Sequence, residues 1–182
     1  MAPHESNRQG PLRIEDYLID PERFRLDALD ALMILDTSPE DRFDRIVRFA
    51  AAELDTPISL FSLVDAHRQW FKAKVGLAVN ETPRDIAFCA HAIKSDEIFV
   101  VEDACADPRF ADNPLVTGDP HIRFYAGAPI SSPSGARVGT LCVIDTRPRT
   151  PSKVDLAILN ALRVTLNETL AERAREANPG GL

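Results

Sequence analysis

The chain has 182 residues, 45% hydrophobic and 27% charged, with 21 basic against 28 acidic side chains for a net charge of −7. That length suits one domain with a proper core, and an acidic balance without a Lys/Arg cluster argues against a nucleic-acid or anionic-membrane partner. No apolar run approaches the ~20 residues that span a bilayer, the N-terminus lacks the apolar core of a signal peptide, and three cysteines in separate segments make no disulfide framework; a reduced cytoplasmic protein is expected.

Residues 1–19 are polar at first and then carry Ile14, Tyr17, Leu18 and Ile19. They read as a partly disordered arm ahead of a domain over 20–178. Asp20-Pro21 is a helix start, an N-cap acceptor followed by proline at the first helical position. Phe24, Ala28, Ala31, Leu32 and Leu35 then share one helical face. The run 37–41 (TSPED) repeats the start signal, and Phe43, Ile46, Val47, Ala50 and Leu54 mark a second helix that ends before Pro57.

Residues 58–64 form a largely apolar strand, 65–68 a turn and 69–75 the returning strand. Trp70 and Phe71 are consecutive there and must face opposite sides of the sheet. Residues 80–84 read as a loop and 85–94 as a short helix. At 100° per residue that helix puts Ile86, Cys89, Ala90 and Ile93 on one face, with Phe88 and Ala92 elsewhere. A third strand, 98–101, leads into a connection over 103–122 broken by Pro108, Pro114 and Pro120. Connections of that length usually carry function.

Two β-rich runs, 124–130 and 138–144, flank a Pro- and Gly-bearing joint and read as a hairpin. Phe124, Ala126, Ala128 and Ile130 share one face of the first arm, Tyr125 and Gly127 the other. The second arm is apolar on both faces, with Val138, Cys142 and Ile144 on one and Leu141 and Val143 on the other, as a central covered strand requires. Small residues at 126–128 and 139 leave room for a helix or a ligand close to the sheet. Ser152 and Asp155 form a capping box for a last helix to about Ala177, some ~39 Å long at 1.5 Å per residue. With Val154, Ile158, Leu162, Leu166 and Leu170 as its apolar stripe, widened by Leu156 and Leu159 in the first half, it crosses the whole domain.

The sequence has no Gly-rich phosphate loop, no G-x-S-x-G, no H-E-x-x-H and no C-x-x-C. Cys89 and His91 lie two apart on a helix, ~200° around its axis, and make a poor zinc pair. Cys105 opens the long connection and is the most accessible thiol; Cys142 sits mid-strand as packing.

The hairpin 124–145 (FYAGAPI, a short turn, then GARVGTLCVID), together with TPRDIAFCAHAI at 82–93 and DPRFADNPLVTGDPHI at 107–122, resembles the GAF domains found beside histidine kinases and diguanylate cyclases. The resemblance covers residues 24–175. It implies an α+β fold: a central antiparallel sheet of five to six strands, N- and C-terminal helices on one face, a short helix and long loop on the other. It also implies a non-enzymatic bacterial sensor that binds an unknown small molecule and signals as a homodimer through its terminal helices. With the chain stopping at Leu182 and no output segment in view, it is expected either to act in trans on a partner or to be an excised or degenerate sensor.

The ligand set expected from these segments is Phe88, Cys89, His91, Asp103, Phe110, Asn113 and Phe124, with no catalytic residue, metal or cofactor. Free methionine-(R)-sulfoxide reductases are GAF domains that use cysteines, but in local sequence unlike that around Cys89, Cys105 and Cys142. The N-K…F…D-E set of cyclic-nucleotide-binding GAF domains is missing. So is a His directly after the cysteine, as bilin carriers have. A ligand-free dimerisation module is the remaining alternative.

Overall fold

The structure, a computed structural model, describes residues 20–180; the expected arm 1–19 lies outside them. Two helices, α1 (Pro21–Ala31) and α2 (Asp41–Glu53), precede the strands β1 (Ile58–Val64), β2 (Arg68–Val75) and β3 (Glu81–Pro83). A 3-10 turn (Arg84–Ile86), α3 (Phe88–Ala92), β4 (Phe99–Val101) and α4 (Pro114–Thr117) follow, then β5 (Phe124–Ser131), β6 (Arg137–Asp145) and α5 (Lys153–Ala177). The six strands form one sheet in the order β3-β2-β1-β6-β5-β4, antiparallel at every pairing.

Two apolar cores lie on opposite faces of this sheet. Phe43, Ile46, Val47 and Ala50 of α2, Leu29 of α1 and Leu159, Leu166 and Leu170 of α5 pack against Phe124, Ala126, Ala128 and Ile130. On the other face Phe88, Cys89, Ala92, Phe110, Val116 and Ile122 cover Tyr125, Cys142 and Ile144. A sheet covered on both sides needs strands without a polar face, and β1, β5 and β6 are buried along nearly their whole length.

Several sequence expectations shift. The run 80–84 is not all loop, because Glu81–Pro83 pairs with Arg68–Trp70 as edge strand β3. The α1 stripe turns onto Leu29, fully buried, while Ala31 is exposed where the helix ends. At α2 the N-cap is Glu40 with no side-chain cap bond. Thr37 instead donates to Ile34 O, and Glu40 is taken up by Lys72 and Arg173. Val138 joins the helix-side core with Leu141, because the β5–β6 register slips between Ile130 and Ser131; Asn167 of α5 accepts from the displaced Ser131 N–H at 3.0 Å.

The last helix starts at its Ser152–Asp155 capping box and spans about 37 Å. Its inward residues are Leu159, Leu166 and Leu170 rather than the whole expected stripe: Ile158 and Leu162 are half-buried, and Val154 is 66% exposed. The buried part of the expected stripe is therefore spent on the domain's own core.

Candidate functional site

The short helix on the loop face begins at Phe88, three residues later than expected. Ile86 falls in the 3-10 turn instead, and the inward side of the helix is Phe88, Cys89 and Ala92, followed by Ile93. Phe88 stacks on Phe110 at 4.1 Å between ring centroids and 10° between planes, and packs on Tyr125 at 5.3 Å. His91 meets the Phe110 ring edge-on at 4.9 Å. The Arg109 guanidinium covers Phe99 and Phe110 at 5.0 and 5.5 Å, held there by Asp107 at 2.6 Å. Rings at this separation are in contact and leave nothing between them. Burial, helped by the charges of Lys94 and Arg109, lowers the His91 pKa and favours its neutral form.

The other expected site residues serve the backbone or lie elsewhere. Asn113 caps α4 by accepting from Leu115 N–H at 2.9 Å and donates to Ile86 O at 3.0 Å, tying the long connection to the 3-10 turn. Asp103 accepts from Cys105 N–H at 3.0 Å. Phe124 does not join the loop-face cluster; it points into the helix-side core.

Cys89 is the polar centre of the loop face. Its sulfur accepts from Thr140 Oγ1 at 3.1 Å and Tyr125 Oη at 3.3 Å. Tyr125 reaches it by leaning along β5 over Gly127, where an added Cβ would meet its hydroxyl at 2.2 Å. The small residue that seemed to leave room for a ligand thus makes room for this ring. Burial opposes a charge on Cys89, but hydrogen bonds led by Cys142, Thr140 and Tyr125 outweigh it and draw its pKa down to about 6. Burial and the neighbouring Cys89 push Cys142 up, so the proton stays on Cys142.

Open space lies beside the ring cluster. A cavity of about 180 Å³ opens between β1, β2, the 77–79 loop and the 115–122 segment, with Leu60, Phe71, Leu77, Leu115 and Ile122 in its wall. Gln69 is its polar anchor, donating to Thr82 Oγ1 at 2.6 Å and accepting from Ser62 Oγ at 3.3 Å. A shallower cleft of about 610 Å³ runs along the outer side of α3 past His67, Arg84 and His91. The sequence leaves open which of Trp70 and Phe71 faces the loop side, and the expected ligand set includes neither; the structure puts Phe71 in this wall and Trp70 in the helix-side core.

One residue beyond Phe71, the β1–β2 ladder skips Lys72: Phe61 pairs with Ala73 and Ser62 with Phe71. Bulges of this kind re-aim a side chain. The Lys72 side chain is 0% exposed on the helix side and meets Glu40 at 2.8 Å, while Nζ also donates to Thr37 Oγ1 and Ser38 O. Glu40 holds Arg173 of α5 at 2.7 Å, and Arg173 donates to Leu32 O and Met33 O. Adjacent residues of one strand therefore line the cavity on one face and, through Glu40, link to the terminal helix on the other.

Among solved structures, the fold is shared with the GAF domain of an Acinetobacter phosphoenolpyruvate-protein phosphotransferase (21% identity, TM-score 0.61, covering 87% of this chain and 97% of that one). It is also shared with a free methionine-R-sulfoxide reductase of Neisseria meningitidis (17% identity, TM-score 0.59, covering 82% and 89%). At such identity these show the fold alone. A curated cyclic di-GMP phosphodiesterase of Pseudomonas aeruginosa is 45% identical over 141 residues, which is 77% of this chain and 24% of that protein. This chain thus spans about a quarter of that relative's length. The family model for the GAF domain matches residues 38–169, from the entry into α2 through both cores and most of α5. By sequence over most of its length and by the architecture of its sheet, the chain belongs to the GAF domain family.

Proposed function

We propose that this domain is a non-enzymatic sensor. A small, mainly apolar ligand enters the cavity beside Phe71, and the change reaches α5 through β2. The observation that supports this most is the Phe71–Lys72 step, which joins the cavity to the Lys72–Glu40–Arg173 cluster within one strand. Pockets that are mostly apolar with a few placed polar groups are the common form of small-molecule site, and Gln69 and Thr82 supply those groups. The site expected around Phe88 and Phe110 moves towards β1 and β2 in this reading, with Asn113 holding Leu115 in the wall.

The output is a homodimer along the outer stripe of α5. Val154, Ala157, Ala161 and Val164 recur at spacings of three and four, directly opposite Leu159, Leu166 and Leu170, and all four are exposed. Such spacing is that of a coiled-coil seam. The paired helices would then act on a signalling partner, in line with the regulatory setting of GAF domains. No helix among the described residues is long and apolar enough to cross a membrane.

Benzene tests the cavity, since an apolar cavity of roughly 150 Å³ is known to take it. Saturating benzene is expected to raise the melting temperature of the wild type and leave that of Leu115→Trp, in which the indole fills the space, unchanged. An equal response in both proteins, or none in the wild type, would remove the cavity as a binding site.

A further inference from the structure

The loop face holds a second feature that ligand sensing leaves unused: two thiols and two hydroxyls converging in a closed, apolar setting. Cys89 stands on the single turn α3 and Cys142 on β6, among the same buried cluster. Thr140 and Cys142 are two apart on β6 and face the same side, so Cys142 lies beside the hydroxyl that donates to Cys89, in the same buried cluster. Gly127 lies opposite Cys142 in the β5–β6 ladder, and its missing side chain is what lets the Tyr125 hydroxyl into the group. All the donors point at one sulfur. Among the described residues, its hydrogen-bond donors are neutral hydroxyls, Tyr125 and Thr140.

A sulfur that accepts hydroxyl protons and has a second thiol beside it is equipped for two-electron oxidation. The geometry points to Cys89 and Cys142 as a peroxide-oxidisable pair, Cys89 attacking and Cys142 resolving. The Cys89 sulfur attacks one oxygen of a small hydroperoxide and the O–O bond breaks. The sulfur becomes a sulfenic acid, and the departing oxygen leaves as water (or an alcohol) with the proton that the Cys89 thiol gives up, relayed by the Thr140 or Tyr125 hydroxyl, while Cys142 keeps its own. The Cys142 thiol then attacks that sulfur, the S–S bond forms, the S–O bond breaks, and a second water leaves. Two thiols and one peroxide thus give one disulfide and two waters, the thiols losing the two electrons that the peroxide gains.

Access comes from the element that carries Cys89. α3 is five residues long with no side-chain cap bond, and elements this short open locally far below the global unfolding free energy. Its outer side faces the cleft along Ala90 and His91, so a molecule as small as hydrogen peroxide needs only one turn to lift. The disulfide would fasten α3 to the central strand and take the acceptor away from Tyr125 and Thr140. Nothing in this inference depends on the cavity beside Phe71.

Exposing the full chain to hydrogen peroxide, then blocking remaining thiols with N-ethylmaleimide in denaturant, reads the pair directly. The expected product is monomeric, two hydrogens lighter, blocked once at Cys105, and yields a cross-linked peptide containing Cys89 and Cys142. Cys105→Ser should form the same bridge. In Cys142→Ser the oxidation should stop at a dimedone-trappable sulfenic acid on Cys89. Oxidation confined to Cys105, with Cys89 and Cys142 both blocked by maleimide, would overturn the assignment. So would a wild-type protein that carries its sulfenic acid on Cys142. The wild-type measurement stands even if a variant does not fold.

Discussion

Leu166→Glu, and likewise Leu170→Glu, should abolish the cooperative thermal transition of the domain. Both leucines are fully buried against the helix-side core. Truncating such a leucine to alanine costs about 2–5 kcal/mol, and a carboxylate without a partner adds its desolvation cost. A domain of this size has only about 5–15 kcal/mol to lose. The outer stripe should behave differently. Val164 is 49% exposed on the opposite side of the same helix, so Val164→Glu should leave melting nearly unchanged while shifting sedimentation from dimer to monomer. A folded Leu166→Glu domain would contradict the packing. A wild type already monomeric at tens of micromolar would contradict the dimer.

The second large effect is expected at Glu40. Glu40→Ala leaves the Lys72 ammonium buried with only Thr37 Oγ1 and Ser38 O as partners. Breaking a fully buried ion pair from one side costs about 3–5 kcal/mol. Glu40 keeps some solvent contact at 24% side-chain exposure, so a loss of about 2–3 kcal/mol in urea unfolding is expected. The double variant Glu40→Ala/Lys72→Met should recover part of it, because an apolar side chain of similar length needs no counter-charge. Burial raises the Glu40 pKa, yet the hydrogen bonds from Lys72 and Arg173 bring it below its ordinary value. Glu40→Ala with wild-type stability would mean the cluster holds nothing together.

Much of this architecture is legible in the residues. The period-two runs of 58–64 and 124–145 carry enough apolar side chains on both faces to demand a covered central sheet. Asp20-Pro21 and the Ser152–Asp155 box fix two helix starts through side-chain chemistry that needs no tertiary contact. Elements whose form depends on partners far away in sequence were not legible. Glu81–Pro83 becomes a strand only because Arg68–Trp70 offers it an edge. The α2 start at Glu40 reflects Lys72 and Arg173, more than 30 and 130 residues distant. Val138 changes face through a register slip that no alternation pattern records.

The site was less legible than the fold, for a related reason. Phe88, His91 and Phe110 do converge, as their segments suggested, but aromatic side chains that converge in an apolar layer fill space as readily as they line it. Composition cannot distinguish a ring that makes a wall from a ring that makes a plug. Gly127 shows the same ambiguity, since its lost side chain serves Tyr125 rather than a guest. Lys72 had no signal at all: a lysine in a strand reads as solvent-facing until the ladder skips it.

Hydrogen exchange on the wild-type domain, with and without saturating benzene, tests most directly the claim that one strand joins the cavity to the terminal helix. The account predicts slower exchange in Arg68–Val75 and also in the part of α5 around Arg173, with both changes absent in Leu115→Trp. Protection gained only around the cavity, with α5 exchanging as before, would contradict it.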